Sequence, residues 1–277
     1  MKIAYVTYDG PDDDRDVLLA VWERAGIEGR AVHWDRPDVR WADFDAAVVR
    51  STWDYITRRD AFVEWAHRAA GETRLLNPAG VIERNTDKVY LRDLGVPVVP
   101  THWVAPGEPV TLPDWDGEWK EYVVKPSVSS GARSTIRTTD QAVAREHAAR
   151  ITAGGLTAMI QPYLTMVEDE GETSLIYLGG RFSHARRRNA MLATGPNRPA
   201  GNHVATLARD PAPDQLALAE RVLAEVPETL LYARVDLVRL PDATPALIEL
   251  ELVEPYLYLS EAPGTPERLT TALLNLL

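Results

Sequence analysis

The sequence has no cysteine among its 277 residues. This absence excludes disulfide bonds, thiolate nucleophiles, iron–sulfur clusters and cysteine-ligated zinc. No apolar run approaches the roughly 18 residues that a membrane-crossing helix needs, and no signal-peptide pattern precedes the acidic residues 12–14. We therefore expect a cytoplasmic protein, without a membrane partner, whose chemistry uses oxygen and nitrogen side chains.

Positive charge is also scarce. There are 30 lysines and arginines against 41 aspartates and glutamates, which gives a formal net charge of -11. We expect no nucleic-acid partner, because affinity for nucleic acids comes largely from cations that neutralise phosphates. The apolar share of 45% and the charged share of 26% are typical of a globular protein. The length allows one large domain or roughly two to three small ones.

Lysine is the least frequent charged residue, and the sequence contains only Lys2, Lys88, Lys120 and Lys125. The motifs GxxxxGK[ST] and GxGxxG are absent, which excludes a P-loop and disfavours a Rossmann dinucleotide site. Lys125 ends an apolar strand pattern and precedes a small loop with Ser130 and Gly131. A lysine before such a loop suits a phosphate cradle built from backbone N–H groups and an ammonium. For Lys125 and for Lys88 the alternative is a solvated surface position.

Strand and helix patterns alternate over residues 1–75, which favours a parallel sheet covered by helices. A helix is predicted from Asn85 or Thr86 to Leu94. From residue 121 onward the strand patterns shorten and favour an antiparallel α+β arrangement, and Gly179-Gly180 predicts a two-residue hairpin. The segment 191–202 ends in a turn-rich stretch without periodicity and is a candidate lid.

Two glutamates interrupt an apolar strand pattern near the end of the chain. Glu249 and Glu251 alternate with apolar residues, so both side chains point to the same face of the strand. A hairpin would bring Asp236 of the preceding strand to that face. Three neighbouring carboxylates repel one another, and a bound hard divalent cation would relieve this repulsion. The alternative is an edge strand whose glutamates face water.

Other charged residues suggest contacts to a small substrate. Arg186 and Arg188 share a face of one strand, and Arg188 is the candidate for binding a phosphoryl or carboxylate group; a solvated basic edge is the alternative. Substrate candidates are Arg50, Trp53, Asp54 and Glu254, of which the first three follow a strand of the first sheet, where α/β domains usually place ligands. Arginines suit carboxylates, and Asp54 or Glu254 suits an ammonium, which indicates amino-acid-sized substrates.

Several of these motifs, taken in order, resemble the ATP-grasp superfamily of carboxylate–amine ligases. Residues 85–91 resemble the helix with the first nucleotide lysine, and residues 122–126 resemble the strand with the second. Residues 160–164 resemble the hinge strand that meets adenine, and residues 171–174 resemble the element whose carboxylate takes the ribose hydroxyls. Arg234 to Asp236 and Glu249 to Glu251 resemble the two metal strands.

The resemblance implies a role for each candidate residue. The nucleotide would be bound by Lys88, Lys125, Ser130, Gly131, Gln161, Tyr163, Leu164 and Glu172. Asp236, Glu249 and Glu251 would hold Mg²⁺ or Mn²⁺, with two ions expected. Arg234 and Arg188 would contact the transferring phosphoryl group or an oxyanion. The chain departs from the family at Gln161, where glutamate is common, and at Glu251, where asparagine is common.

The fold that the resemblance implies is α/β and α+β, with an N-terminal parallel domain followed by two α+β subdomains that sandwich the nucleotide. We expect a substrate domain over 1–76, a central helix and connection over 77–118, a lid subdomain over 119–172, and a metal-binding, catalytic subdomain over 173–277. The sequence leaves a homodimer open.

Residues 250–255, with 50–55 and 182–185, are most similar to the glutathione-synthetase-like branch. That branch includes the O-ureido-serine cyclo-ligase of cycloserine biosynthesis and other ligases of amino-acid natural products. The resemblance implies that a carboxylate is activated as an acyl phosphate and joined to an amine. The leading hypothesis is ligation of two small amino-acid-like molecules, and the alternative is ring closure within one molecule. A non-catalytic ATP-binding regulatory module is an alternative of another class, which the intact carboxylates and both lysines disfavour.

Overall fold

The protein is described here by a computed structural model that covers residues 1–115, 119–192 and 206–277. Within these ranges the strands form three sheets, and helices join and cover them. The candidate lid over 191–202 lies outside the described residues from position 193 onward.

The first sheet is parallel, as predicted, with the strand order β2-β1-β3-β4. Its elements in chain order are β1 (Lys2–Thr7), α1 (Arg15–Arg24), β2 (Glu28–His33), β3 (Ala46–Ser51), α2 (Arg59–Ala70) and β4 (Arg74–Leu76), with short 3-10 helices at Trp41–Asp43 and Trp53–Thr57. The central strands β1 and β3 are apolar and buried on both faces. Such strands require cover on each side, which explains why helices alternate with them.

The connection after the first sheet differs from the prediction. Instead of one helix from Asn85 to Leu94, α3 (Ala79–Asn85) ends there and a separate 3-10 helix spans Lys88–Arg92. Asp87 has an extended backbone and its side chain accepts a hydrogen bond from Val89 N at 3.2 Å. Lys88 N donates to Ser127 O at 2.9 Å. The helix breaks because Asp87 offers a local alternative partner and Lys88 is bound to the next sheet.

The second sheet is antiparallel, with the order β5-β8-β6-β7. Its elements are β5 (His102–Val104), β6 (Tyr122–Pro126), β7 (Ile136–Thr138), α4 (Gln141–Ala153) and β8 (Ala158–Pro162). Asp140 caps α4, since its carboxylate accepts hydrogen bonds from Ala142 N and Val143 N. Ala144, Ala148 and Ile151 form the buried face of α4, and one side of this sheet is therefore covered by a single helix.

The third sheet is also antiparallel, with the order β11-β10-β9-β12-β13. Its region contains α5 (Met166–Asp169), β9 (Glu172–Leu178), β10 (Arg181–Arg188), β11 (Thr206–Ala208), α6 (Pro213–Ala224), β12 (Tyr232–Arg239), β13 (Pro245–Glu251) and α7 (Thr265–Leu276). Gly179 and Gly180 both have positive φ angles, 56° and 75°, which gives the predicted two-residue hairpin between β9 and β10.

The first and third sheets share one core. Ile3, Tyr5 and Val48 pack in the same apolar cluster as Ile176 and Leu273. The buried side chain of Asn77 reinforces this junction: its amide donates to Tyr232 O and Leu252 O, and its oxygen accepts from Leu231 N. In the described part of the chain, no helix combines the length and apolar character needed to cross a bilayer. The boundaries of the four predicted domains stay predictions.

Candidate active site

Three carboxylates converge where β12 and β13 pair. The antiparallel register places Asp236 opposite Glu249 and Arg234 opposite Glu251, and the alternation of side chains puts all four on one face. One oxygen from each of Asp236, Glu249 and Glu251 lies within 4.8 Å of the others. These carboxylates therefore face each other, with the Asp236 side chain 1% exposed and those of Glu249 and Glu251 28% and 25% exposed.

Three cations neutralise this cluster. Arg234 donates to Asp236 Oδ2 at 2.9 Å and also binds Glu251. Arg188 Nη1 lies 3.1 Å from Asp236 Oδ2 and 3.5 Å from a Glu172 oxygen. Lys88 Nζ lies 3.1 Å from Glu249 Oε1. Each charge in this buried group thus has an opposite partner, which is the condition under which ionised side chains persist away from water.

The pairing sets opposite pKa shifts within the cluster. Burial favours protonation of Asp236 and Glu249, but Arg234 and Arg188 outweigh it at Asp236, and Lys88 and Lys125 outweigh it at Glu249, so the pKa of both carboxyls is lowered. Burial dominates at Glu251 and Glu172, whose pKa is raised. A cluster of carboxyls whose pKa values are shifted in opposite directions is typical of functional clefts.

A cavity of about 760 Å³ opens above these groups, between the second and third sheets. This volume is in the range of small-molecule sites. The residues predicted from the sequence that line it are Lys88, Lys125, Ser130, Gly131, Gln161, Tyr163, Leu164, Glu172, Arg188, Arg234, Glu249, Glu251, Trp53 and Glu254. Asp236 lies beneath the lining and reaches the cavity through Arg188 and Arg234.

The two lysines meet the loop after β6. Lys88 Nζ donates to Ser129 O at 2.6 Å, which ties the 3-10 helix to this loop. Gly131 has a φ of 60°, so the chain turns there with its backbone open to the cavity. Lys125 projects from β6, and burial lowers the pKa of its ammonium, with Lys88 adding to the effect. Two neighbouring ammonium groups beside a glycine-bearing loop suit a polyphosphate.

The opposite end of the cavity is apolar and aromatic. Val99, Val123, Leu164 and Ile248 line it together with Tyr163. Gln161 lies on β8 and its amide donates to Thr101 Oγ1 at 2.9 Å, so its side chain is held on the protein. An apolar lining next to strand backbone suits a purine base, and base binding is the role that the resemblance implies for residues 161–164.

Gly171 allows Glu172 to enter the cavity at the start of β9. A β-carbon at Gly171 would lie 2.5 Å from Arg188 O, and its φ is 75°, so only glycine fits this close approach. Glu172 then faces Arg188 across the β9–β10 pair, where the two residues are register partners.

The arginine run resolves into two faces. Arg188 lines the cavity, whereas Arg187 points to the other face and donates to Glu170 O at 2.8 Å. Arg186 shares the face of Arg188 but is bound to Glu261 Oε2 at 2.6 Å. Of the three, Arg188 is the cation that contacts Asp236.

Two of the substrate candidates lie away from the cavity. Arg50 is 2% exposed and its guanidinium is held by Pro255 O at 3.0 Å and by Asp14 at 3.5 Å. Asp54 accepts from Trp34 Nε1 at 2.9 Å and is paired with Arg58. The sequence analysis predicted that both residues contact substrate. Their polar atoms are instead bound within the protein, those of Arg50 by Pro255 and Asp14 and those of Asp54 by Trp34 and Arg58.

Trp53 and Glu254 do line the cavity, and they contact each other. Trp53 Nε1 donates to Glu254 O at 3.1 Å. Burial raises the pKa of the Glu254 carboxyl to about 7, while a hydrogen bond with Tyr55 opposes the shift. Sequence reasoning missed further lining residues, namely Tyr8, Asp13, Tyr55, Arg133, Tyr256, Tyr258 and Glu261. The alternation Glu254, Tyr256, Tyr258 after β13 was the available signal for part of this set.

The fold and the site together define a class of protein. Two antiparallel sheets enclose a cleft with two lysines and a phosphate-type loop on one side and carboxylates from neighbouring strands on the other. A solved structure of D-alanine–D-alanine ligase from Bacillus anthracis, complexed with ATP, has this fold: it matches 99% of this chain and 96% of its own with a TM-score of 0.68 at 14% identity. The class is that of the ATP-grasp ligases, as the sequence motifs predicted.

Relatives with higher sequence identity show which family of ATP-grasp ligases the chain belongs to. The cycloserine biosynthesis protein DcsG of Streptomyces lavendulae is 36% identical over 95% of this chain and 93% of its own length. A crystal structure of D-cycloserine synthetase DcsG matches 99% of both chains with a TM-score of 0.87 and 33% identity. The family model for the N-terminal domain of D-cycloserine synthetase DcsG matches residues 3–77. The chain belongs to the DcsG family of ATP-grasp carboxylate–amine ligases.

Proposed function

We propose that this enzyme activates the carboxylate of one small amino-acid-like substrate with ATP and closes a ring onto a nitrogen of the same molecule. The observation that carries the activation step is the group formed by Asp236, Glu249, Glu251, Arg188 and Arg234 at one end of the cavity. The similarity to DcsG over nearly the full length of both chains favours ring closure over ligation of two molecules.

The reaction has two steps. First, a substrate carboxylate oxygen attacks the γ-phosphorus of ATP, the bond from that phosphorus to the β,γ-bridging oxygen breaks, and ADP leaves. Second, the nitrogen attacks the acyl carbon, the bond from that carbon to the phosphate oxygen breaks, and the nitrogen loses a proton. A free carboxylate is a poor acylating agent and a mixed anhydride is a good one, so the first step makes the second feasible. The protein's task is positioning and charge neutralisation.

Lys88 and Lys125 supply positive charge for the phosphates, and the loop with Ser130 and Gly131 supplies backbone donors. Gln161, Tyr163 and Leu164 would hold the base, and Glu172 the ribose. The two arginines are placed for a different task. Because Arg188 bridges Glu172 and Asp236 and Arg234 bridges Asp236 and Glu251, both can bind the transferring phosphoryl group.

Asp236, Glu249 and Glu251 fit Mg²⁺ or Mn²⁺, because they offer only hard carboxylate oxygens from one compact group. When bound, such an ion neutralises phosphate charge and polarises the phosphoryl oxygens. The extra carboxylate of Glu251, where the family commonly has asparagine, raises the negative charge of the group, and two ions would balance it. Arg234 limits this charge in the structure because it binds both Asp236 and Glu251.

Substrate recognition is proposed at the end of the cavity formed by Trp53, Glu254 and the tyrosines. Glu254 can hold the ammonium of an amino acid while the arginines hold its carboxylate end. This arrangement fits one zwitterionic molecule between the metal group and the first sheet. The leading hypothesis from the sequence was ligation of two such molecules. The test below must therefore distinguish ligation from ring closure.

The test is to incubate the enzyme with Mg²⁺-ATP and single amino-acid-like substrates, including O-ureido-serine, and then with pairs of them. Ring closure predicts ADP release with one substrate alone and a product lighter than that substrate. Ligation predicts ADP release only with a pair and a product heavier than either partner. Glu249→Gln serves as the inactive control. Tight Mg²⁺-ATP binding without ADP release in any mixture would contradict the proposed function.

A further inference from the structure

The segment Glu254–Leu259, which follows the carboxylate strand, is held almost residue by residue. Its backbone oxygens accept from Trp53 Nε1 at residue 254, Arg50 Nη2 at 255, Arg234 Nη1 at 256 and His184 Nε2 at 257. Tyr258 O accepts from the backbone N–H groups of Glu261 and Ala262. Leu259 N donates to Asp14 Oδ1 at 3.3 Å. Side chains from both the first and the third sheet therefore fix this loop.

The residue at the centre of this fixed segment has an unfavourable backbone. Tyr258 has a φ of 54°, in the left-handed region that bulky side chains rarely adopt. Such a conformation persists only when the surroundings over-determine it, and these residues cluster at functional sites. The hydrogen bonds on either side of Tyr258 supply that constraint. Glycine or asparagine would suit this backbone conformation better. The presence of tyrosine at position 258 must therefore be explained by its side chain.

The side chain of Tyr258 ends among the reacting groups. The residue is 3% exposed, yet it lines the cavity. Its phenol interacts electrostatically with Arg234, Arg188 and Asp236. On its other side the ring packs edge-on against Tyr256, with centroids 4.9 Å apart, and Arg186 lies 5.8 Å from its centroid. The phenol oxygen is thus directed to the end of the cavity where the two arginines meet the carboxylate cluster.

We propose that Tyr258 is a further catalytic residue, whose phenol O–H donates a hydrogen bond to the acyl oxygen that is not phosphorylated. This inference rests on the proposed function. In the second step, attack by nitrogen moves the carbonyl π electrons onto that oxygen, and its negative charge disappears again when the bond to phosphate breaks. The phenol keeps its proton throughout. A donor fixed in advance stabilises this oxyanion without reorganisation, which accounts for keeping tyrosine in a strained position.

A purely packing role is the competing explanation, because the ring also belongs to the core shared by the first and third sheets. Tyr258→Phe separates the two roles, since it keeps the ring and removes only the hydroxyl. The matched control is Tyr177→Phe, on β9, which removes a buried hydroxyl that lies away from the cavity lining.

We expect Y258F to lower the maximal rate of ADP release about 10- to 100-fold, with the KM for ATP within about twofold of the wild type. Y177F should keep the wild-type rate, and the melting temperatures of both variants should stay close to that of the wild type. A Y258F rate within about threefold of the wild type, at a temperature where both proteins are folded, would overturn the inference.

A second variant tests the inference if Y258F has a much lower melting temperature than the wild type. Incorporation of 3,5-difluorotyrosine at position 258 preserves the ring but makes its phenol more acidic, so the donated proton is lost at lower pH. The alkaline limb of the rate profile should then shift to lower pH; an unchanged profile would refute the proposed contact. The wild-type assay distinguishes failure of this inference from failure of the proposed function. If the wild type releases ADP and both variants behave like it, only the role of Tyr258 is refuted.

Discussion

Lys88 and Glu249 face each other at the floor of the cavity, with Lys88 Nζ 3.1 Å from Glu249 Oε1. The pair joins the 3-10 helix after α3 to β13, two elements about 160 positions apart in the sequence. Each partner also belongs to a separate task, because the same ammonium binds Ser129 O and the same carboxylate belongs to the cluster with Asp236. The side of the site proposed to bind phosphate and the side proposed to bind the metal are therefore in direct contact.

Glu249→Gln should leave the fold intact and reduce turnover by at least about 100-fold, because it removes one charge from the proposed metal group. ADP release under saturating Mg²⁺-ATP measures turnover. A Mg²⁺ titration of the same variant should show weaker binding of the ion. Glu228→Gln is the matched control, since Glu228 pairs with Arg84 at the surface. Full activity of E249Q would contradict the metal assignment.

Lys125→Met should raise the KM for ATP about 10-fold or more, because a half-buried ammonium that lines the cavity, next to the proposed phosphate loop, is lost. Direct binding of ADP and ATP by calorimetry should show the same loss. Lys120→Met removes an exposed lysine five residues earlier and should bind nucleotide like the wild type. Equal affinities for K125M and K120M would show that Lys125 is a surface lysine in function.

Most of the site was predictable because its residues lie on regular elements. Alternation along a strand places Glu249 with Glu251, and the hairpin rule brings Asp236 to them, so periodicity and one turn suffice. Gly179-Gly180 fixed the β9–β10 pair for the same local reason. The parallel first sheet followed from the strand–helix alternation, since parallel strands need crossover connections.

The rest depended on contacts between residues distant in the sequence. Arg50 looked like a ligand contact, but its guanidinium binds Pro255 O, 205 positions later, and no local pattern encodes that contact. The helix predicted over 85–94 broke because Lys88 N pairs with Ser127 on the second sheet. Tyr258 was missed because a positive φ in a tyrosine has no sequence signature.

Asp54→Asn and Glu254→Gln should behave differently, although both were substrate candidates. Asp54 is occupied by Arg58 and Trp34 at the surface, so D54N should keep the substrate KM within about twofold. Glu254 lines the cavity, and loss of its charge should raise that KM about 10-fold or more. Initial rates against substrate concentration decide between them. A large KM change in D54N and none in E254Q would invert the proposed assignment.

Acid should destabilise the protein through His184. Burial, with Arg268 and Arg186 adding to it and Glu261 opposing, lowers the pKa of His184 to about 4 from its usual 6.5. The neutral ring donates Nε2–H to Leu257 O at 3.2 Å, a contact that opposes the shift, and its Nδ1 lies 3.0 Å from Ser183 Oγ. The unfolded state takes up a proton below pH 6.5 and the folded state only near pH 4. This contribution to stability is therefore complete above pH 6.5 and is lost as pH falls to 4, on the order of 2 kcal/mol.

Urea unfolding at pH 7, 5.5 and 4.5 measures this loss. His184→Gln cannot take up the proton and should show a flatter decline over the same interval, even if it is less stable at pH 7. Parallel declines for H184Q and the wild type would exclude His184 as the source.

The way in which the backbone from Glu254 to Leu259 is held bears on how the enzyme can be re-engineered. Trp53, Arg50 and Asp14 reach that backbone from the first 76 residues, so the part of the chain proposed to receive substrate also positions the loop that carries Tyr258. Exchanging residues 1–76 with those of a relative would leave the recipient's loop without its matching donors. A chimera of that kind should work only when the stretch after β13 is transplanted in the same cut, because the two pieces form one mechanical unit.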